Sequence, residues 1–100
     1  MELLNLATFN QQLNSKFTIK PAGANAVEVE LIEAEDTGSN AMHEQFSITF
    51  RGPLGAPLPQ GLYPFEHADM GTFELFIVPI KRDQHGMYYE AIFSRVIQPA

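Results

Sequence analysis

Over residues 72–81 the chain is apolar on both phases of a two-residue period. Phe73, Leu75 and Ile77 fall on one phase, and Phe76, Val78 and Ile80 on the other. Side chains alternate between the two faces of a strand, so this pattern predicts a strand covered on both sides. Something must lie against the second face, and a helix elsewhere in the chain is the natural cover. The next segment repeats the demand. After a short hairpin loop at Asp83-Gln84-His85-Gly86, Met87, Tyr89, Ala91 and Phe93 oppose Tyr88 and Ile92.

Most of the remaining chain is written in the same period. Phe46, Ile48 and Phe50 alternate with Ser47, Thr49 and Arg51, and Val27, Val29 and Leu31 with Glu28 and Glu30. Ile32 and Ala34 fall out of phase with that second run, which predicts a bulge near Ile32. Phe17 with Ile19, and Tyr63 with Phe65, mark shorter strands. Between them stand Pro21 with Gly23, a polar loop at 36–40, a Gly- and Pro-rich stretch at 52–61, and a turn at 68–71. Only the N-terminus has helical spacing. Leu6, Phe9, Leu13 and Phe17 form a stripe, Thr8 and Gln11 have capping-box spacing, and Asn14 and Ser15 end the run. The fold class is therefore mainly β with one N-terminal α-helix, over residues 8–15, packed on the sheet. A small antiparallel β-barrel or sandwich of about six strands fits these signals. Sequential hairpins favour an up-and-down path. At 100 residues with no linker-like stretch, residues 1–100 read as a single β-rich domain.

No cysteine is present, which removes disulfides, thiolate catalysis and cysteine-ligated metal sites. The first residues show no signal peptide, and no apolar run approaches the roughly 18 residues of a membrane-spanning helix. The expectation is a cytoplasmic protein, or one carried in a larger assembly. The net charge of -6 argues against a nucleic-acid partner and against attachment to anionic lipid. Glu28, Glu30, Glu33, Glu35 and Asp36 fall in one segment without a Lys or Arg, and the rest of the chain is close to neutral. Such a run either protects an exposed strand edge or offers a docking surface to a basic partner. Charged residues make up only 18%, below the roughly 25% of an average domain, so part of the surface is expected to lie against something other than water.

Glu66-His67-x-Asp69 is the most enzyme-like string, a carboxylate beside an imidazole. Adjacent strand residues point to opposite faces, however, so Glu66 and His67 should diverge. His43, His67 and His85 lack the close spacing of metal motifs, and no metal or other cofactor is expected. Arg51 sits on the polar phase of a strand before a forced turn. It is placed to pair with Glu66, Glu74 or Glu90, or to anchor a partner. The stretch 52–61 has neither phosphate-loop pattern and leads into a strand instead of a helix. Tyr88 and Tyr89 must face opposite ways, so one belongs to the core and the other is a candidate partner-facing aromatic, as is Tyr63.

Several strings are less generic: Phe46-Ser-Ile-Thr-Phe50-Arg51-Gly52-Pro53, Leu58-Pro59-Gln60-Gly61-Leu-Tyr63, Glu66-His67, Met70-Gly71-Thr-Phe73-Glu-Leu75-Phe76-Ile-Val78-Pro79 and Tyr89-Glu90-Ala91-Ile-Phe93. In these the chain resembles a bacterial family of short proteins with a domain of unknown function. The likeness covers about half the chain; the first 40 residues match only as a helix followed by an acidic strand. The resemblance implies no assigned activity. It does imply a setting, because members of that family are often encoded beside proteins similar to phage-tail collar or tail-fibre proteins. An accessory or structural role in a phage-tail-like or surface-fibre assembly follows from that neighbourhood.

These readings predict a non-catalytic interaction or assembly module that acts through a protein partner, self-association or both, without nucleic acid or membrane insertion. The residues expected to serve it are Glu28, Glu30, Glu33, Arg51, Tyr63, His67 and Tyr88. One rival is a small barrel holding a hydrophobic ligand among its eight Phe and four Met. A more distant one is a hydrolase or isomerase built on His67 and a carboxylate.

Overall fold

The computed structural model describes residues 4–96. A short helix α1 (Leu6–Gln11) precedes six strands, β1 (Lys16–Ile19), β2 (Val27–Asp36), β3 (His43–Gly52), β4 (Gly61–His67), β5 (Gly71–Asp83) and β6 (Gly86–Val96). All pair antiparallel, in the closed order β1-β2-β3-β6-β5-β4. The expected mainly β class with one N-terminal helix holds, and the barrel form is realised.

The path is not up-and-down. The first four strands lie in the spatial order 4-1-2-3, which is a Greek key. Residues 53–60 make the crossing, which explains the concentration of Gly and Pro there. Leu58 on this crossing is buried, and its backbone N–H donates to the Tyr89 hydroxyl at 2.9 Å. Burial raises the pKa of that phenol. The return β4 closes the barrel on β1 through a narrow seam, where Thr18 pairs with Glu66 and Ile19 with Phe65. The bulge expected near Ile32 is present, as the β2–β3 register shifts between Leu31 and Glu33. A second irregularity lies between Pro79 and Lys81.

The barrel interior takes the inward phase of every strand. Phe17, Ile19, Ile48, Phe50, Phe65 and Ile77 are fully buried there. A barrel of six strands is narrower than the eight-stranded size that side chains just fill, so these rings meet across it. Phe17 lies 5.2 Å from Phe50, and Phe50 lies 5.2 Å from Phe65.

The helix differs from its expected form in boundary and in place. It is only six residues long. Asn5, not Thr8, is its N-cap: the Asn5 side chain accepts from the Thr8 backbone N–H at 2.8 Å. The chain leaves the helical course at Asn14, whose φ of 70° is left-handed. Its N–H then bonds to the Leu31 carbonyl at 2.7 Å, stitching the helix exit to β2. Phe17, read as the last residue of a helical stripe, belongs to β1. Nor does α1 cover the outer face of β5. It sits at an end of the barrel and inserts Phe9, which is completely buried between Phe17, Phe46, Phe73 and Phe93 at centroid distances of 5.5–6.5 Å. A helix this short is not stable alone, so this insertion is what fixes it.

Phe9→Ala should therefore cost about 3–5 kcal/mol, the usual range for emptying a buried Phe site. Urea unfolding measures it. A loss under about 1 kcal/mol would mean that α1 does not seal the barrel.

Candidate functional site

The residues singled out from the sequence do not converge. Glu28, Glu30 and Arg51 lie on the outside of β2 and β3. With Lys16 and His85 they line an open cleft of about 400 Å³. Arg51 pairs with Glu30 at 2.9 Å, across the β2–β3 register, and not with Glu66, Glu74 or Glu90. Both partners are part-exposed, so the pair contributes about 0–1 kcal/mol. Glu33 and Tyr88 belong to another hollow, of about 250 Å³, walled by Ile32 and Ile80 at the two strand irregularities. Tyr89 is the core tyrosine. Tyr88 faces outward yet is buried, with the Lys81 ammonium 4.5 Å from its ring centroid and its hydroxyl donating to Asp83 at 3.2 Å. It is therefore not the open aromatic that the sequence led us to expect. Tyr63 donates its hydroxyl to the Pro59 carbonyl at 2.6 Å and so steadies the crossing loop.

His67 is buried at the end of β4, while Glu66 turns outward to Lys20 at 2.8 Å, as strand alternation requires. The His67 ring packs 4.3 Å from Phe17. Its Nδ1 accepts the backbone N–H groups of Asp69 and Met70, at 3.0 and 3.2 Å. An Nδ1 that accepts two amides leaves the ring proton on Nε2. Nε2 then donates to Ser15 Oγ at 2.9 Å, and Ser15 donates onward to the Gln12 carbonyl at 2.6 Å. This wiring is the reverse of a serine–histidine dyad, where the imidazole accepts from the hydroxyl. Among the described residues no carboxylate hydrogen-bonds to His67, and no group of His, Asp and Glu is arranged to hold a metal. The imidazole holds the β4–β5 turn, which Gly71 completes with a φ of 80°.

The acidic segment divides in two. Glu30 of β2 is paired on both sides, with Lys16 of β1 and Arg51 of β3, so it does not guard an edge, whereas among the described strands Glu28 pairs only with Thr18 of β1. Glu33, Glu35 and Asp36 lie past the bulge, where among the described strands only β3 pairs with β2. Asp36 accepts the Ser39 and Gly38 backbone amides, both at 2.9 Å, and these hold its carboxyl below the usual carboxylate range.

The feature that stands out lies on the opposite wall. Leu62 of β4 pairs with Phe76 of β5. The β5–β6 pairing ends at Val78 and Glu90, and extending it by two residues would bring Ile92 of β6 to the Phe76 side of this pair. These three side chains point outward and are 59%, 51% and 71% exposed. Leu62 and Phe76 stand on paired strands about 4.8 Å apart, and Ile92 continues the row on β6, the next strand in the sheet order. Val78 is half-buried beside it, and Ile80 is also exposed. The second apolar phase of residues 72–81, expected to be covered, is largely bare. Scattered exposed apolar side chains are ordinary; large ones gathered on one wall are less so. The sequence carried the signal in Phe76 and Ile92. It was assigned to the helix because the strand pattern says that a face is apolar, not what covers it.

Residues 4–93 match the model of a family described as a domain of unknown function (DUF6916). The chain belongs to this family. The match takes in α1 and all but the end of β6, more of the DUF6916 chain than the motifs over 46–93 alone. No curated protein and no solved structure matches it. No helix among the described residues is long and apolar enough to cross a membrane.

If His67 is a turn-holding residue, His67→Phe should keep the packing on Phe17 but orphan the Asp69 and Met70 amides and Ser15. The expected loss is about 2–3 kcal/mol in chemical denaturation. Unchanged stability would return His67 to the list of surface contacts.

Proposed function

We propose that this DUF6916 chain is a non-catalytic interaction module that works through the outer wall of β4, β5 and β6. The observation that carries this reading is the exposed row of Leu62, Phe76 and Ile92. Holding three large apolar side chains in water is unfavourable by roughly 25 cal/mol per Å² of apolar surface, and a partner that buries them recovers that free energy. Two further features favour it over the rivals. The interior is occupied by the protein's own rings, and the largest of the clefts described, of about 660 Å³ beside Lys20, Leu62 and Tyr63, opens on the outside. His67, the best base candidate, spends both ring nitrogens on structural hydrogen bonds. We take the setting to be an accessory or structural role in a phage-tail-like or surface-fibre assembly, in keeping with the family likeness.

Site-specific photo-crosslinking in the native cell tests this. A photoreactive phenylalanine analogue at position 76 should give discrete covalent adducts, and the same group at Thr18, outward on β1, should give none. No adduct at position 76, or identical adducts at both positions, would overturn the proposal.

A further inference from the structure

We infer that the surface row accepts an apolar segment flanked on both sides by Lys or Arg, and not a second copy of this chain; this rests on the interaction reading above. The argument comes from the charges that border the row. On β5, Glu74 stands two residues to one side of Phe76 on the same outward face, and it is exposed. On β6, Glu90 stands two residues from Ile92 and pairs with Val78, so it borders the row on the other side. The register continues the row across Ser47 of β3 to Glu35 of β2, and the Glu90 side across Thr49 to Glu33. No ion pair is formed by Glu74, Glu90, Glu33 or Glu35 among the described residues. Cations on the neighbouring strands are already engaged, Lys20 with Glu66, Arg51 with Glu30 and Lys81 with Asp83.

A second copy fits this border badly. A two-fold contact places the same patch on both sides. If the axis runs along the row, Glu74 of one copy meets Glu90 of the other. If it runs along β5, Glu74 meets Glu74. Each arrangement buries apolar side chains at the expense of opposed carboxylates, on chains that already carry -6 each. An apolar segment with basic flanks turns the same carboxylates from repulsive to attractive. The Leu62–Phe76 step of about 4.8 Å matches successive i, i+3 or i+4 side chains of a helix, at about 5–6 Å.

The test uses the intact chain and three synthetic peptides: an amphipathic helix of Leu and Lys, the same helix with Glu in place of Lys, and a scrambled Leu/Lys peptide. Binding is followed by two-dimensional NMR. The Leu/Lys helix should shift resonances of Leu62, Phe76 and Ile92, and salt should weaken it. The combined Glu74→Gln and Glu90→Gln substitutions should lower its affinity about 10-fold and flatten the salt dependence, as two rim charge contacts would. Phe76→Ser should abolish the shifts at the row. Equal binding of the Glu or scrambled peptide, shifts centred on residues 28–36, or no effect of the double substitution would overturn the inference. So would concentration-dependent shifts at Leu62, Phe76 and Ile92 without peptide, which signal self-association. That last result leaves the interaction reading standing, whereas a silent crosslinker at position 76 removes it.

Discussion

A closed barrel of six strands encloses too little space for anything but its own side chains, and the rest of this structure follows from that limit. Phe17, Phe50 and Phe65 meet across the interior. Rings of this size cannot be enclosed by strands alone, so both barrel ends need plugs. Phe9 supplies one from α1, and Leu58 on the crossing loop supplies the other, tied down by Tyr89. The loop must be long enough to pass over that end. The same crossing takes β4 to the far side of β1 and makes the path a Greek key.

Polar groups that enter this interior are used to hold loops. Tyr89 satisfies the Leu58 amide, and His67 satisfies Asp69, Met70 and Ser15. No buried side-chain nitrogen or oxygen among the described residues lacks a partner. Buried polar groups that are fully satisfied give specificity to the fold. On its outside the chain presents an acidic, part-neutralised side on β2 and β3 and an apolar, acid-bordered side on β4 to β6.

Much of this was legible in the sequence because the dominant signal is local. Period-two alternation located the strands, and the phase slip at Ile32 located the bulge, since both depend on neighbours along the chain. What failed depended on the third dimension. Phe17 fits a helical stripe and a strand equally well; pairing with Val29 makes it a strand residue. Hairpin signals do not encode which strands close a barrel, so the β1–β4 seam was not foreseen. Alternation says that Tyr88 and Tyr89 face opposite ways, but not that Lys81 lies over the ring of the outward one, Tyr88. At the candidate site the apolar phase is legible through Phe76 and Ile92. The absence of a cover became visible only when α1 was found at the barrel end.

The central claim is that the barrel stays shut and its outer wall does the work. The seam between β1 and β4 is narrow, with Thr18–Glu66 and Ile19–Phe65 paired and the Lys20 N–H donating to the Pro64 carbonyl at 2.9 Å, so it is where opening is looked for. Native-state amide hydrogen exchange as a function of low denaturant concentration tests this most directly. If the account is right, the protected amides of the seam exchange only through global unfolding, with the same free energy and denaturant dependence as those of Phe50 and Tyr89. Exchange of the seam through a smaller, sub-global opening would mean that the interior is accessible, and it would contradict the account.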